Sequence, residues 1–437
     1  MMDSHNQGAR STANPFKVLI AGGCYSGLAA AINLLDKCDS ALDARIPVHI
    51  TIVDERSGFC TPRHRLPLAL SDKGYADKCW VDFADVKILQ RPDVRFVHGR
   101  VQKVDPATRT ATIRESASEA DSTETYDYFI AATGLRRAWP IVPQSLTRKT
   151  YLLEAGRHID AVRGSKHPVL VVGGGAVGIE MAAELKMMAP DVRVTLAHSR
   201  AKLLSAEPLP DDVKDRALEL VREAGVEALM EHRLLSALPL KPEGELGHAD
   251  SGYEVEFTNG HKMTASVVIE AISRSVPSTD YLPPAALDAE SGLVNIRPTM
   301  QIKAAGGGGE EGVIPNADRH FAIGDLINWS GIKRCGAAMH EGRFAGLNIH
   351  QLMLQELSLA SSSSSSPERD EKHVPEFQEL AEIPPMIGLA VGKKGLSYGP
   401  DVGMKSGEDV LKLFFEDDLG FRIVWDYLRL GQDPVKV

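Results

Sequence analysis

The sequence has no run of about 18 apolar residues free of charge, so it offers no membrane-spanning helix. Cysteine is scarce: Cys24, Cys38, Cys60, Cys79 and Cys335 are an odd five, with no C-x-x-C pair and no metal-ligand spacing. That excludes a dithiol relay and a cysteine-held metal, and leaves each cysteine as a small, partly buried hydrophobe. Positive charge is also in deficit. A net charge of -10 repels a polyphosphate backbone, and nucleic acid is not an expected partner. The opening MMDSHNQGARSTANPF has neither an apolar signal core nor a glycine at position 2. Residues 1–15 are therefore expected to form a disordered tail, and the compartment is expected to be cytoplasmic, with peripheral membrane contact left open.

What remains is ordinary globular composition, 43% hydrophobic and 25% charged, in a chain long enough for two or three domains. One pattern occurs twice. Residues 17–35, KVLIAGGCYSGLAAAINLL, and residues 168–185, PVLVVGGGAVGIEMAAEL, each read as an apolar strand, a glycine turn and a helix. Each is followed by a second strand with a polar end, VHITIVDE (48–55) and VRVTLAHSR (192–200). Residues 95–114 read as a hairpin ahead of YDYFIAATG. Residues 253–269 read as another, turning at Asn259-Gly260, ahead of EAISRSVP. Two strand-helix-strand units imply two dinucleotide sites.

In the first turn Gly22 permits the tight bend and Gly27 the close approach of helix to strand, so that backbone N–H groups face a pyrophosphate. Cys24 replaces the usual middle glycine and puts a side chain where the diphosphate approaches. Asp54, at the end of the next strand, is placed to accept from both ribose hydroxyls. The second turn is complete, with Gly173, Gly175 and Gly178, and Glu180 just inside the helix. Its second strand ends on His198, Ser199 and Arg200. With no carboxylate to repel a 2'-phosphate and a guanidinium to pair with one, NADPH is favoured over NADH. Further on, HFAIGD (320–325) is an apolar strand ending in Gly324-Asp325, before a helix over CGAAMHEGRFAGLNIHQL. Asp325 can accept from a ribityl hydroxyl, and the helix N-terminus can stabilise negative charge on a reduced flavin.

The order GGCYSG, YDYFIAATG, VVGGGAVGIE, FAIGD resembles the two-dinucleotide-domain pyridine nucleotide-flavin oxidoreductases. Within them it is most similar to the apoptosis-inducing-factor-like branch, in particular fungal homologues of its mitochondria-associated-2 type, over roughly residues 16–350. The resemblance implies that Thr133 and Gly134 lie along FAD, that Asp325 holds the ribityl chain and that Glu180 lies beside the nicotinamide. It also implies electron transfer to quinones, oxygen or other small acceptors. The two-cysteine motif of the disulfide reductases is missing, as is the linker of Baeyer-Villiger monooxygenases, since Trp139-Pro140 lacks the preceding His and Gly. Cys60 sits too close to the strand end to match the single-cysteine peroxidases.

The expected fold class is α/β, with two Rossmann-like dinucleotide-binding domains of the glutathione-reductase-like two-domain type and a small C-terminal α+β segment. The expected divisions are a discontinuous FAD domain (16–150 and 280–355), an NAD(P)H domain (151–279), a linker (356–373) containing the serine run, and an interface or cap segment (374–437). The FAD candidates are Gly22, Gly23, Cys24, Tyr25, Ser26, Gly27, Asp54, Glu55, Arg63, Val101, Ala132, Thr133, Gly134, Gly324 and Asp325. Those for NADPH or NADH are Gly173, Gly175, Ala176, Val177, Gly178, His198, Ser199 and Arg200. Glu180, His64 and Arg65 are the catalytic candidates, the last two because the TPRHRLP segment (61–67) is expected to return toward the flavin. The expected activity is FAD-dependent hydride transfer from NAD(P)H and then reduction of a small-molecule acceptor, without a metal. The alternatives are a flavin monooxygenase or oxidase and a low-turnover signalling flavoprotein. A homodimer is an open possibility.

Overall fold

The computed structural model describes residues 10–40, 45–60, 70–240, 252–272, 276–303, 313–362 and 372–435. The first module is built on a seven-stranded sheet in the order 320–322, 128–131, 16–21, 48–54, 94–105, 110–115, 121–125. The first five strands run parallel and the last three form an antiparallel meander. The central strand Phe16–Ala21 reads BeBBBB in burial, the near-continuous apolar pattern of a strand covered on both faces. Helix α1 (Tyr25–Asp39) covers it, rich in alanine where it packs.

The second module has a four-stranded parallel sheet in the order 227–229, 194–197, 169–172, 267–270, beside a three-stranded antiparallel sheet. In the latter, the Asn259-Gly260 turn closes the expected hairpin, with Gly260 at φ +83°. Its third strand, Leu234–Pro239, was not legible in the sequence. Besides the short α2 (Lys73–Cys79), the helices here are α3 (Arg148–Arg163), α4 (Ala176–Met188) and α5 (Asp211–Glu223). Two of the segments that link the modules pair antiparallel, Val276 opposite Arg136.

Helix α6 (Cys335–Ser362) returns to the first module and lies against α1 at unusually short range. A Cβ on Gly342 would stand 2.3 Å from the Ser26 carbonyl oxygen, and one on Gly346 would stand 2.8 Å from that of Ala30. This helix runs past the expected boundary, so residues 356–362, read as linker, are helical. The reason is pairing and packing: the Glu356 carboxylate takes guanidinium hydrogen bonds from Arg10 and Arg319, and Leu357 packs on the core. Most of the serine run lies outside the described residues.

The tail expectation also needs correction at Arg10. Its guanidinium is only 9% exposed, pairs with Asp127 and Glu356, and lies 4.0 Å from the Phe16 ring centroid. Arg10 is thus anchored by charge.

The C-terminal segment is a three-stranded antiparallel sheet (387–391, 394–399, 403–407) followed by α7 (Glu408–Phe414) and α8 (Phe421–Tyr427). Leu389, Val391 and Leu396 join the core of the second module, while Val424, Leu428 and Leu430 join that of the first. No helix among the described residues is long and apolar enough to cross a membrane.

Candidate dinucleotide sites

The two glycine turns are built alike, contact for contact. Gly22 and Gly173 have φ of +108° and +122°, in the region that side-chain-bearing residues avoid. A Cβ on Gly22 would meet the Ala132 carbonyl oxygen at 2.4 Å, and one on Gly173 that of Ala271 at 2.5 Å. Gly27 and Gly178 let each helix pack on its own turn, where a Cβ would lie 1.9 and 1.8 Å from the Gly22 and Gly173 oxygens. The ends of the second strands correspond as well. Asp54 Oδ2 accepts from the Gly23 amide at 2.7 Å, and His198 Nδ1 accepts from the Gly174 amide at 3.1 Å.

The helix that follows each turn begins without a side-chain cap and without an acidic residue in its first turn. Its leading N–H groups and positive dipole end therefore suit an anion. Cys24 is the N-cap of α1, in extended conformation. At the equivalent Gly175 an added Cβ would meet nothing within 4 Å, which explains how a cysteine fits where the pattern has glycine. Burial pushes the Cys24 thiol up to about 12, so it stays neutral and adds no charge beside a diphosphate.

The first turn opens on a cleft with about 1240 Å³ of empty space, counting its open mouth. Of the expected FAD residues, Gly22, Cys24, Tyr25, Ser26, Asp54, Glu55, Val101, Ala132, Thr133, Gly134, Gly324 and Asp325 line it. Gly23 and Gly27 instead shape it from behind, through Asp54 and the Gly22 carbonyl. Arg63, His64 and Arg65 lie outside the described residues. Burial raises the Asp54 carboxyl, while the amides of Gly23 and Arg56 pull the other way.

Several lining groups were missed in the sequence. Arg56 and Arg136 both pair with Glu55 at the mouth, and Arg56 also donates to the Pro143 carbonyl. Tyr281 meets the Thr133 hydroxyl at 2.9 Å, and that hydroxyl also reaches the Ser278 carbonyl at 2.7 Å. Arg137 stands 3.8 Å from the Asp325 carboxylate. Apart from the neighbouring Arg56 and Glu55, these contacts have no local signal, because the partners come from distant segments.

A trough of mixed polarity, with an uncapped helix N-terminus and the adjoining Gly324-Asp325 turn on its wall, fits a dinucleotide. The profile of the pyridine nucleotide-disulphide oxidoreductase family matches residues 16–342. The chain belongs to that family. It is 45% identical over 443 residues to oxidoreductase OXR1 of Ajellomyces capsulatus, covering 97% of this chain and 90% of that one. Apoptosis-inducing factor homolog A of Dictyostelium discoideum is 22% identical, over 86% and 83% of the two chains. Among solved structures, the water-forming NADH oxidase of Lactobacillus brevis shares the fold at a TM-score of 0.61 and 18% identity, covering 87% of this chain and 74% of that one. This pyridine nucleotide oxidoreductase is an apoptosis-inducing-factor-like, FAD-dependent NAD(P)H enzyme. Cys24, Cys38, Cys79 and Cys335 form no disulfide with one another.

At the second turn, Ala176 and Val177 are half-buried in the first turn of α4. The His198 ring is fixed on both sides, by the Gly174 amide and by Ser205 Oγ at 2.9 Å from Nε2. Burial lowers its pKa and nearby Arg200 adds to the effect, so the ring is a neutral acceptor at Nδ1. Ser199 is half-buried, and Arg200 is exposed with Nη1 3.3 Å from the Ser205 carbonyl. Glu180 does not line the large cleft. It lies buried under the C-terminal sheet, where its carboxylate accepts from the Ala390 amide at 3.2 Å.

Proposed function

We propose that the protein takes hydride from NAD(P)H, NADPH in preference, and passes the electrons through FAD to a quinone or other small organic acceptor, or to oxygen, without a cysteine relay. The observation that carries this is the repetition of one turn geometry at Gly22 and Gly173, with the first turn opening on a cleft lined by Asp54, Thr133 and Asp325. When bound, FAD supplies the chemistry: it accepts hydride and releases electrons.

The residues of the chain bind and orient. The N-terminus of α1 and the Gly22 turn receive the diphosphate, Asp54 and Glu55 the adenosine ribose, and Thr133, Gly134 and Asp325 the ribityl side. Gly173 to Gly178 receive the second pyrophosphate. A neutral His198 and the exposed Arg200 at the strand end tolerate a 2'-phosphate that a carboxylate would repel. Residues 381–386 run across the start of α6, with the Trp329 indole donating to the Ala381 carbonyl and Arg334 to that of Met386. That placement supports a role for the C-terminal segment in screening the flavin end from water.

The test is an anaerobic stopped-flow mix of yellow holoenzyme with NADPH. Bleaching of the flavin band within the dead time or shortly after, followed by its return on adding a quinone, is expected. A band that stays unbleached with both NADPH and NADH sinks the reading.

A further inference from the structure

Glu341 lies in the second turn of α6 and is only 5% exposed. Its Oε2 accepts the Gly324 amide hydrogen at 2.6 Å, and Gly324, at φ +83°, opens the turn that presents Asp325 to the cleft. The turn interrupts the strand His320–Ala322, and the carboxylate supplies from the helix what a neighbouring strand would otherwise give.

The surroundings set what else this group can do. The charged groups facing it are the Asp325 carboxylate, on the same turn, and Lys333, whose Nζ donates to the Ile327 carbonyl at 2.6 Å. From α1, packed against Gly342, the polar neighbour is Ser26, which is uncharged. Ser26 Oγ would lie 2.8 Å from a Cβ on Gly324, so the diphosphate end of α1, the Gly324 amide and Glu341 occupy adjoining layers. Ser26, Gly324, Asp325 and Ala338 all line the cleft assigned to FAD.

We infer that Glu341 is a positioning residue for FAD, which holds the Gly324-Asp325 turn in place and takes up a proton from solvent when the FAD diphosphate docks. The inference rests on FAD occupying this cleft. A docked diphosphate brings negative charge to the end of α1 and displaces water, and both disfavour a second buried anion one layer behind. Burial already pushes the Glu341 carboxyl up to about 7, with Asp325 adding to it against the pull of the Gly324 amide and Lys333. Once protonated, the carboxyl keeps its carbonyl oxygen as acceptor for Gly324, so neutralisation does not release the turn.

The sign of the linkage follows. If docking raises the pKa of Glu341, FAD binds best where the group is already protonated and weakens as pH rises above about 7. The experiment dilutes holoenzyme across a pH series and reads released FAD by its fluorescence. Wild type is expected to show an FAD Kd that climbs by up to about tenfold per pH unit on the alkaline side. Glu341→Gln, which keeps an acceptor oxygen but cannot titrate, is expected to bind FAD with a flat profile. Glu341→Ala is expected to bind weakly throughout; should it fail to fold, the Gln variant still decides. A wild-type Kd that does not rise with pH, or an equal slope in Glu341→Gln, overturns the inference and leaves FAD binding intact. Wild-type protein that holds no FAD overturns both.

Discussion

The Nδ1 atom of His198 accepts the amide hydrogen of Gly174 at 3.1 Å, in the place where Asp54 serves Gly23 in the first module. One backbone requirement is thus met twice, once by an anion and once by a neutral ring. On the proposed function, the difference falls where the ribose and its 2'-substituent would be read.

Replacing that ring tests the nucleotide preference. His198→Asp restores an acceptor for Gly174 but adds a negative charge at the strand end. The KM for NADPH is expected to rise roughly ten- to a hundredfold, the scale of a charge-assisted contact turned repulsive, while that for NADH changes little. Steady-state kinetics with both nucleotides decide it; equal effects on the two would remove His198 from the reading of the 2'-position.

The two close helix approaches forbid side chains, whereas the middle position does not. Gly27→Ala places a Cβ 1.9 Å from the Gly22 oxygen and is expected to yield colourless or insoluble protein. Cys24→Ala is expected to purify yellow, with an FAD content close to wild type, because the thiol is neutral and the matching position in the second module is open. The ratio of flavin to protein absorbance reads both.

Glu184 makes stability depend on pH. It is 1% exposed, its oxygens make no well-formed hydrogen bond, and the nearby Gly392 amide only partly offsets the burial that pushes its carboxyl up to about 8. A folded-state pKa above the unfolded value means stability is full below the unfolded pKa, near 4.5. It is lost as pH rises through about 8. Thermal melts are expected to show Glu184→Gln matching wild type near pH 5 and exceeding it above pH 8. A variant less stable than wild type at alkaline pH would contradict the account.

Arg10 joins two part-buried carboxylates, Asp127 and Glu356, the second of which it shares with Arg319. Arg10→Ala is expected to cost about 3 kcal/mol in denaturant unfolding, the range for breaking one side of a buried ion pair. A loss under about 1 kcal/mol would place the pair among the weak surface bridges.

The sequence made the glycine turns readable because close backbone approach admits one residue type. Asp54 was readable because the end of a strand after such a turn is a fixed place. The Gly324-Asp325 turn was readable for the same reason, and its partner Glu341 was not, since that bond spans 17 residues and depends on how α6 lies on α1. Arg10 hid in a polar stretch, because its partners Asp127 and Glu356 are 117 and 346 positions away. Glu180 could be placed at the head of a helix, but what lies over it is a sheet more than 200 residues downstream, and helix periodicity says nothing about that.

The C-terminal segment contributes Leu389 and Leu396 to one hydrophobic core and Leu428 and Leu430 to the other. Neither module can melt without exposing part of this shared apolar surface. The whole chain is therefore expected to lose its structure in a single cooperative step, and removing the segment should split that step in two.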